Sequence, residues 1–135
     1  MASEVGTSPL HEYVKQNPGY VRVYESYEAN LGLIEEIRAA MPAARLVTVC
    51  EYWCGDCRRL VPRMARIADF LPGWEFEMHP WDGERRNKPW QIRAIPTFIL
   101  FLGDTEIGRI VENPQFGAIE QDLQAIISKA TQGNA

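Results

Sequence analysis

The chain has 135 residues, 46% of them hydrophobic and 24% charged, with a net charge of −4; this suits one domain that buries roughly two thirds of its unfolded surface. The acidic balance argues against a general attraction to nucleic acid or an anionic membrane, and the longest strongly apolar run, Ile95 to Leu102, falls far short of the roughly 20 residues of a membrane span. Met1 to Pro9 carry neither the basic nor the hydrophobic segment of a signal peptide, and the 3 cysteines, all between positions 50 and 57, make no disulfide framework, so a cytoplasmic chain with reactive thiols is expected.

In chain order, Met1 to Ser8 reads as a loose polar terminus. Pro9 to Gln16 suits a short helix, with Ser8 as N-cap and Pro9 at the first helical position. Asn17-Pro18-Gly19 breaks it. Tyr20 to Tyr24 alternates aromatic or β-branched residues around Arg22 and predicts a first strand. Between Ser26 and Met41, Leu31, Ile34, Ile37 and Arg38 recur at helical spacing until Pro42 stops the pattern. Leu46 to Cys50 is apolar on both faces, as a buried central strand would be.

Arg58 to Phe70 is a helical pattern, with Leu60, Met64, Ile67 and Leu71 on one face and Pro62 inside it. Pro72-Gly73 ends it, and Trp74 to Met78 reads as the next strand. Trp81 to Pro89 is a polar loop or irregular helix. Thr97 to Leu102, a Gly103-Asp104 turn and Glu106 to Val111 predict a hairpin. Phe116 to Ala130 closes the chain as an amphipathic helix with Ile119, Leu123, Ile126 and Ile127 inward. Neither an internal repeat nor a low-complexity segment interrupts this order.

Cys54-Gly55-Asp56-Cys57 stands at the junction between the central strand and the following helix. The first helical turn brings two such thiols within disulfide reach, and the helix N-terminus offers unpaired N–H groups and partial positive charge to a thiolate. The same spacing serves zinc, and Cys50 extends it to a three-cysteine series that some iron–sulfur enzymes use. No second C-x-x-C or H-x-x-x-H accompanies it, so His79 reads as an ordinary strand-end histidine. Cys50 reads as a small buried residue, with a third redox thiol as the alternative. Trp74, Trp81 and Trp90 read as packing rather than a recognition surface, and Arg85, Arg86 and Lys88 as a solvated loop.

Three features together resemble the thioredoxin family over nearly all of residues 20–130. Trp53-Cys54-Gly55-Asp56-Cys57 is similar to the family's Trp-Cys-Gly-Pro-Cys. Pro62 falls where the family kinks its active-site helix, and Ile95-Pro96-Thr97 resembles the family's Ile-Pro-Thr, whose proline is cis and faces the dithiol. The resemblance implies an α/β thioredoxin fold: a central mixed sheet flanked by helices, here with an extra N-terminal helix. Residues 1–19 would be the extension and residues 20–135 the thioredoxin-like domain. It also implies that Cys54 attacks, that Cys57 resolves, that Trp53 shields the site, and that Gly55, Ile95, Pro96 and Thr97 line the substrate groove.

Two positions depart from the family pattern. Asp56 replaces the proline, and a carboxylate beside the dithiol would raise the Cys54 pKa and favour a reducing couple, against which Arg58 and Arg59 act. Thr48 stands where the family keeps a buried acid that helps deprotonate the resolving thiol, with Glu77 near the position of its lysine partner; Glu77, Asp56 and Glu51 are the candidates to stand in. The expected function is reduction of disulfides in protein substrates, with an external reductase or small thiol as reductant. No metal or organic cofactor, nucleic acid or membrane is expected to take part. The alternative is a binding or adaptor module that uses the groove around Trp53 and Pro96 without redox turnover.

Overall fold

A computed structural model describes residues 6–132; the terminus expected to be loose lies mostly outside that range. Chain order is α1 (Pro9–Lys15), α2 (Pro18–Ser26), α3 (Leu31–Ala40), β1 (Ala44–Cys50), α4 (Gly55–Ala68), β2 (Trp74–Pro80), a short 3-10 turn (Gly83–Arg85), β3 (Thr97–Leu102), β4 (Thr105–Val111) and α5 (Ile119–Gln132). The strands form one mixed sheet in the order β2-β1-β3-β4, with β1 parallel to β2 and antiparallel to β3. This is the α/β architecture expected, a mixed sheet flanked by helices. Leu46, Val47, Thr48, Val49 and Cys50 are all fully buried, as a central strand covered on both faces requires.

One element differs in kind from the sequence reading: Tyr20 to Tyr24 is not a strand but lies within α2. The reason lies in Arg22. A strand would put Tyr20, Arg22 and Tyr24 on one face and bury the arginine between two aromatics. A helix puts Tyr20 and Tyr24, four apart, on the core side and turns Arg22 to solvent; Tyr20 and Tyr24 are buried and Arg22 is exposed. The Asn17-Pro18 pair that ends α1 also starts α2, with Asn17 in N-cap conformation and Pro18 at the first helical position. Helix α3 is also shorter than its pattern. It starts at Leu31, where the Asn30 side chain caps the Leu33 N–H at 3.1 Å, and Leu31 itself is exposed.

Both N-terminal helices belong to the core. Leu10 and Val14 of α1 are fully buried, and α2 packs along α4. A polar network ties them to the far end of α4. His11 Nε2 faces Asp69 Oδ1 and the Ala65 carbonyl, each at 2.9 Å, and therefore carries the proton; Nδ1 meets the Ser8 hydroxyl at 2.7 Å. The Tyr24 hydroxyl donates to the second Asp69 oxygen, which also receives Arg66 Nη1 at 3.2 Å. Burial alone would raise the Asp69 pKa, but the hydrogen bonds from His11 and Tyr24 outweigh it and hold the carboxyl below the ordinary range. Beyond the same end of α4, Gly73 has no room for a side chain, since a Cβ there would lie 2.1 Å from the Pro42 carbonyl oxygen.

Asp69→Ala is expected to lower stability by about 2 kcal/mol near neutral pH, read as a shift in the urea midpoint. Because the folded carboxyl is depressed, its contribution is present above the ordinary carboxylate pKa and disappears as pH falls through the lowered value. The gap between wild type and Asp69→Ala should therefore narrow on acidification. A gap that widened instead would contradict the ionised role of Asp69.

Candidate functional site

Strand register decides what meets the dithiol. Val49 pairs with Thr97 and Cys50 with Pro80, so the chain leaving β1 passes directly beside the segment that enters β3. A turn follows, closed by the Cys54 N–H donating to the Glu51 carbonyl at 3.1 Å. Arg58 reaches back from α4 and holds that turn, donating to the carbonyls of Tyr52 at 3.2 Å and Trp53 at 3.0 Å. Cys54 is then the N-cap of α4, with extended φ −78° and ψ 125°, and its sulfur accepts the Cys57 N–H at 3.4 Å. In most helices an oxygen fills that position; here it is the thiol.

The Cys54 S–H also faces the Ile95 carbonyl at 3.7 Å. The Ile95–Pro96 peptide is cis, and the loop is fixed on both sides. The Thr97 hydroxyl donates to the Ala94 carbonyl at 2.6 Å, and the Glu112 N–H donates to the Pro96 carbonyl at 2.8 Å. Cys54, Cys57, Ile95, Pro96 and Thr97 are thus brought together, with Thr97 buried beneath the rim. Trp53 and Tyr52 stand outside it, 55% and 61% exposed, and Phe116 is a further exposed aromatic at 61%. Gly55 opens α4 with nothing within 4 Å of where a Cβ would lie, so packing does not require a glycine there.

All 3 cysteines are free thiols, Cys54 half-buried, Cys50 and Cys57 fully buried. Burial is the leading cause that pushes the Cys54 thiol up, joined by the Cys57 side chain, while the N–H groups of Cys57 and Asp56 pull it down. For Cys57 the neighbouring Cys50 side chain is the leading cause and burial follows; together they push it far above the ordinary thiol range. Asp56 influences Cys54 through its backbone N–H, which favours the thiolate. Its carboxylate turns to Arg59 at 3.1 Å, and Arg59 also bonds Asn113.

Thr48 is fully buried and its hydroxyl has no hydrogen-bond partner. Glu77 is occupied by Arg45 and by His79 Nε2 at 2.9 Å, and the bond from Arg45 leads in holding its carboxyl low. No carboxylate is among the leading influences on Cys57; Glu51 acts there through its backbone, which lowers the thiol's pKa. The polar side chains beside the buried thiols are instead Tyr13 of α1 and Tyr20 of α2, both of which respond to Cys50. Sequence reasoning misses Tyr20 because its segment reads as a strand, the Asn17-Pro18 helix start being the available signal, and misses Tyr13 because no spacing along the chain encodes which face of α1 meets β1. Among the described residues no group of three or more His, Cys, Asp or Glu side chains is placed to hold a metal ion. His79 packs its ring edge-on to Trp90 at 4.9 Å, and Trp74 is buried with its indole N–H on the Met41 carbonyl at 2.7 Å.

A family model described as thioredoxin matches residues 7–124, a span that holds the dithiol, the cis-proline loop and both N-terminal helices. The chain belongs to the thioredoxin family. It is 31% identical to thioredoxin H1 of Arabidopsis thaliana over 98 residues, covering 70% of this chain and 82% of that one. Thioredoxin-2 of Pyricularia oryzae is 29% identical over 102 residues, 73% of this chain but 57% of that protein; the chain thus spans less than two thirds of this relative. The crystal structure of Fasciola hepatica thioredoxin superposes with a TM-score of 0.52 at 25% identity, covering 73% of this chain and 91% of that one.

The upward push on Cys54 sets its reactivity with pH. Below its pKa each unit of pH lowers the thiolate fraction about tenfold, so the raised value leaves little thiolate near neutrality. Alkylation of Cys54 by iodoacetamide, followed by peptide mass spectrometry, should still be accelerating as pH passes about 8.5. A rate already level near neutral pH would contradict the burial argument.

Proposed function

We propose that this chain reduces disulfides in protein substrates through Cys54 and Cys57. The observation that carries the reading is the placement of one sulfur: Cys54 Sγ caps α4 under the Cys57 N–H and faces the Ile95 carbonyl. The Cys54 thiolate attacks one sulfur of the substrate disulfide, forming a mixed disulfide and expelling the other sulfur as a thiolate that takes up a proton. Cys57 then attacks Cys54 Sγ, breaking the mixed disulfide. The substrate leaves as a dithiol and a Cys54–Cys57 disulfide remains. Two electrons have passed to the substrate, and an external reductase or small thiol returns them. No metal or organic cofactor enters these steps.

Trp53, Gly55, Ile95, Pro96 and Thr97 form the substrate-facing rim in this reading, with the exposed Trp53 supplying apolar contact. Asp56 is assigned a tuning role: its carboxylate lies one residue from Cys57, and the Arg59 partner sets how much of its charge reaches the dithiol. A reducing compartment, the cytoplasm, suits a dithiol whose resting form is reduced.

A dithiothreitol-driven insulin reduction assay tests the reading. The wild-type chain should accelerate reduction, Cys54→Ser should return it to the uncatalysed rate, and Cys57→Ser should accumulate a mixed disulfide with insulin. Equal rates with and without Cys54 would overturn it in favour of the adaptor, particularly if Cys54→Ser still bound partners through the Trp53 and Pro96 surface.

A further inference from the structure

We propose that the basic loop between β2 and β3, residues 81–93, docks an acidic segment lying beside the disulfide of a protein substrate. The inference rests on Cys54 and Cys57 being the redox pair and names the class of substrate they meet. Strands β1 and β2 are parallel and end together, with Cys50 opposite Pro80, and the Trp81 N–H donates to the Cys50 carbonyl at 3.3 Å. The loop therefore leaves the sheet at the same end as the turn that carries the dithiol. It returns at Arg93, two residues before Ile95, whose carbonyl lies 3.7 Å from the Cys54 sulfur.

The loop is held from within. The Asn87 N–H donates to Asp82 Oδ1 at 2.7 Å, the Asp82 N–H donates to Asn87 Oδ1 at 3.1 Å, and Asn87 Nδ2 donates to the Pro80 carbonyl at 2.9 Å. The Ile92 N–H closes on the Arg86 carbonyl at 2.8 Å, the Ile92 side chain is buried, and Arg109 Nη1 donates to the Trp90 carbonyl at 3.0 Å. Arg86, Asn87 and Gln91 occupy the left-handed region, at φ 54°, 49° and 56°. Asparagine tolerates that conformation, but an arginine there costs about 1–2 kcal/mol that a glycine would not. The Arg86 side chain is exposed and has no partner among the described residues, so no contact within the chain offsets that cost.

The other cations of the loop are equally unengaged. Arg85, Lys88 and Arg93 are exposed, and their side chains have no partner among the described residues. Glu84 stands beside them without forming an ion pair, and the Asp82 carboxylate is turned to the Asn87 N–H. Four cations thus stand against two carboxylates in the loop, within a chain whose net charge is −4. Next to the dithiol, Asp56 is held by Arg59, and the Arg58 guanidinium rests on two carbonyls; Glu51 and Glu112 are the opposing charges. Unpaired guanidinium groups on a fixed backbone accept carboxylates in bidentate fashion and lose little freedom in doing so. A substrate with acidic residues beside its disulfide is therefore steered to the loop while its sulfurs lie at Cys54.

The test mixes the reduced full chain with 2-hydroxyethyl disulfide and with two peptides that differ only in whether glutamates or lysines flank an internal disulfide. Oxidation of Cys54 and Cys57 is followed by acid quenching and N-ethylmaleimide labelling, and each peptide's rate is divided by its own rate with dithiothreitol. At low salt the acidic peptide should oxidise the chain about 10-fold faster than the basic one, and this ratio should approach one in about 0.5 M sodium chloride. Arg85→Ser combined with Lys88→Ser should bring the ratio close to one at low salt. Arg86→Gly, which relieves the left-handed backbone, should lower the ratio without lowering the melting temperature, and circular dichroism verifies the fold of both variants. A wild-type ratio at or below one, or a ratio unchanged in both variants, overturns the docking proposal but leaves the Cys54–Cys57 pair standing. Failure of 2-hydroxyethyl disulfide to oxidise the wild type overturns the redox pair itself.

Discussion

The Cys57 N–H on the Cys54 sulfur joins the folding of a helix to the reactivity of a thiol. Helix α4 can begin at Gly55 because a side chain at position 54 accepts one of its orphan donors. That side chain is the one whose anion the same donors stabilise. The cap has a fixed environment because β1 cannot slip: its last five residues are buried on both faces, and a shift of one residue would reverse every side chain. With Val49 held opposite Thr97, the Ile95 carbonyl and Pro96 fall beside the cap. Helix start, strand register and loop position thus depend on one another.

Burial and the helix terminus pull the thiols in opposite directions. Both donors that favour a thiolate act on Cys54, yet burial and the adjacent Cys57 outweigh them. Cys57 has the Glu51 backbone in its favour, against Cys50 and complete burial, and it is pushed much further. The gap between the two gives the site its polarity. The thiol nearer solvent ionises first, and the inner one remains protonated until a neighbouring sulfur is already engaged.

The part of this arrangement that was legible in the sequence is the part encoded locally. Leu46 to Cys50 announces a covered strand by lacking polar alternation, and Ser8-Pro9 announces a helix start by a cap and a fixed φ. The segment from Tyr20 to Tyr24 was misread because periods of two and four agree on where the tyrosines fall; only Arg22 separates them, and it requires a helix. Asp56 could be placed beside the dithiol from its number alone. The direction of its carboxylate depends on Arg59, which itself reaches Asn113 across 54 residues of chain. No periodicity encodes a contact of that kind, nor the approach of Tyr13 and Tyr20 to Cys50.

Because the N-terminal segment is helical, the described sheet has four strands with β2 at its edge, and α1 and α2 are free to lie along α4. Each contributes to both ends of that helix. From α1, His11 reaches Asp69 at the C-terminal end while Tyr13 lies near Cys50 at the other. From α2, Tyr24 reaches the same aspartate and Tyr20, one turn earlier, lies near the same thiol. The network at Asp69 therefore fixes the two helices that carry the phenols. In this chain helices outside the sheet thus supply polar side chains at both ends of α4, a carboxylate network at one and two phenols at the other.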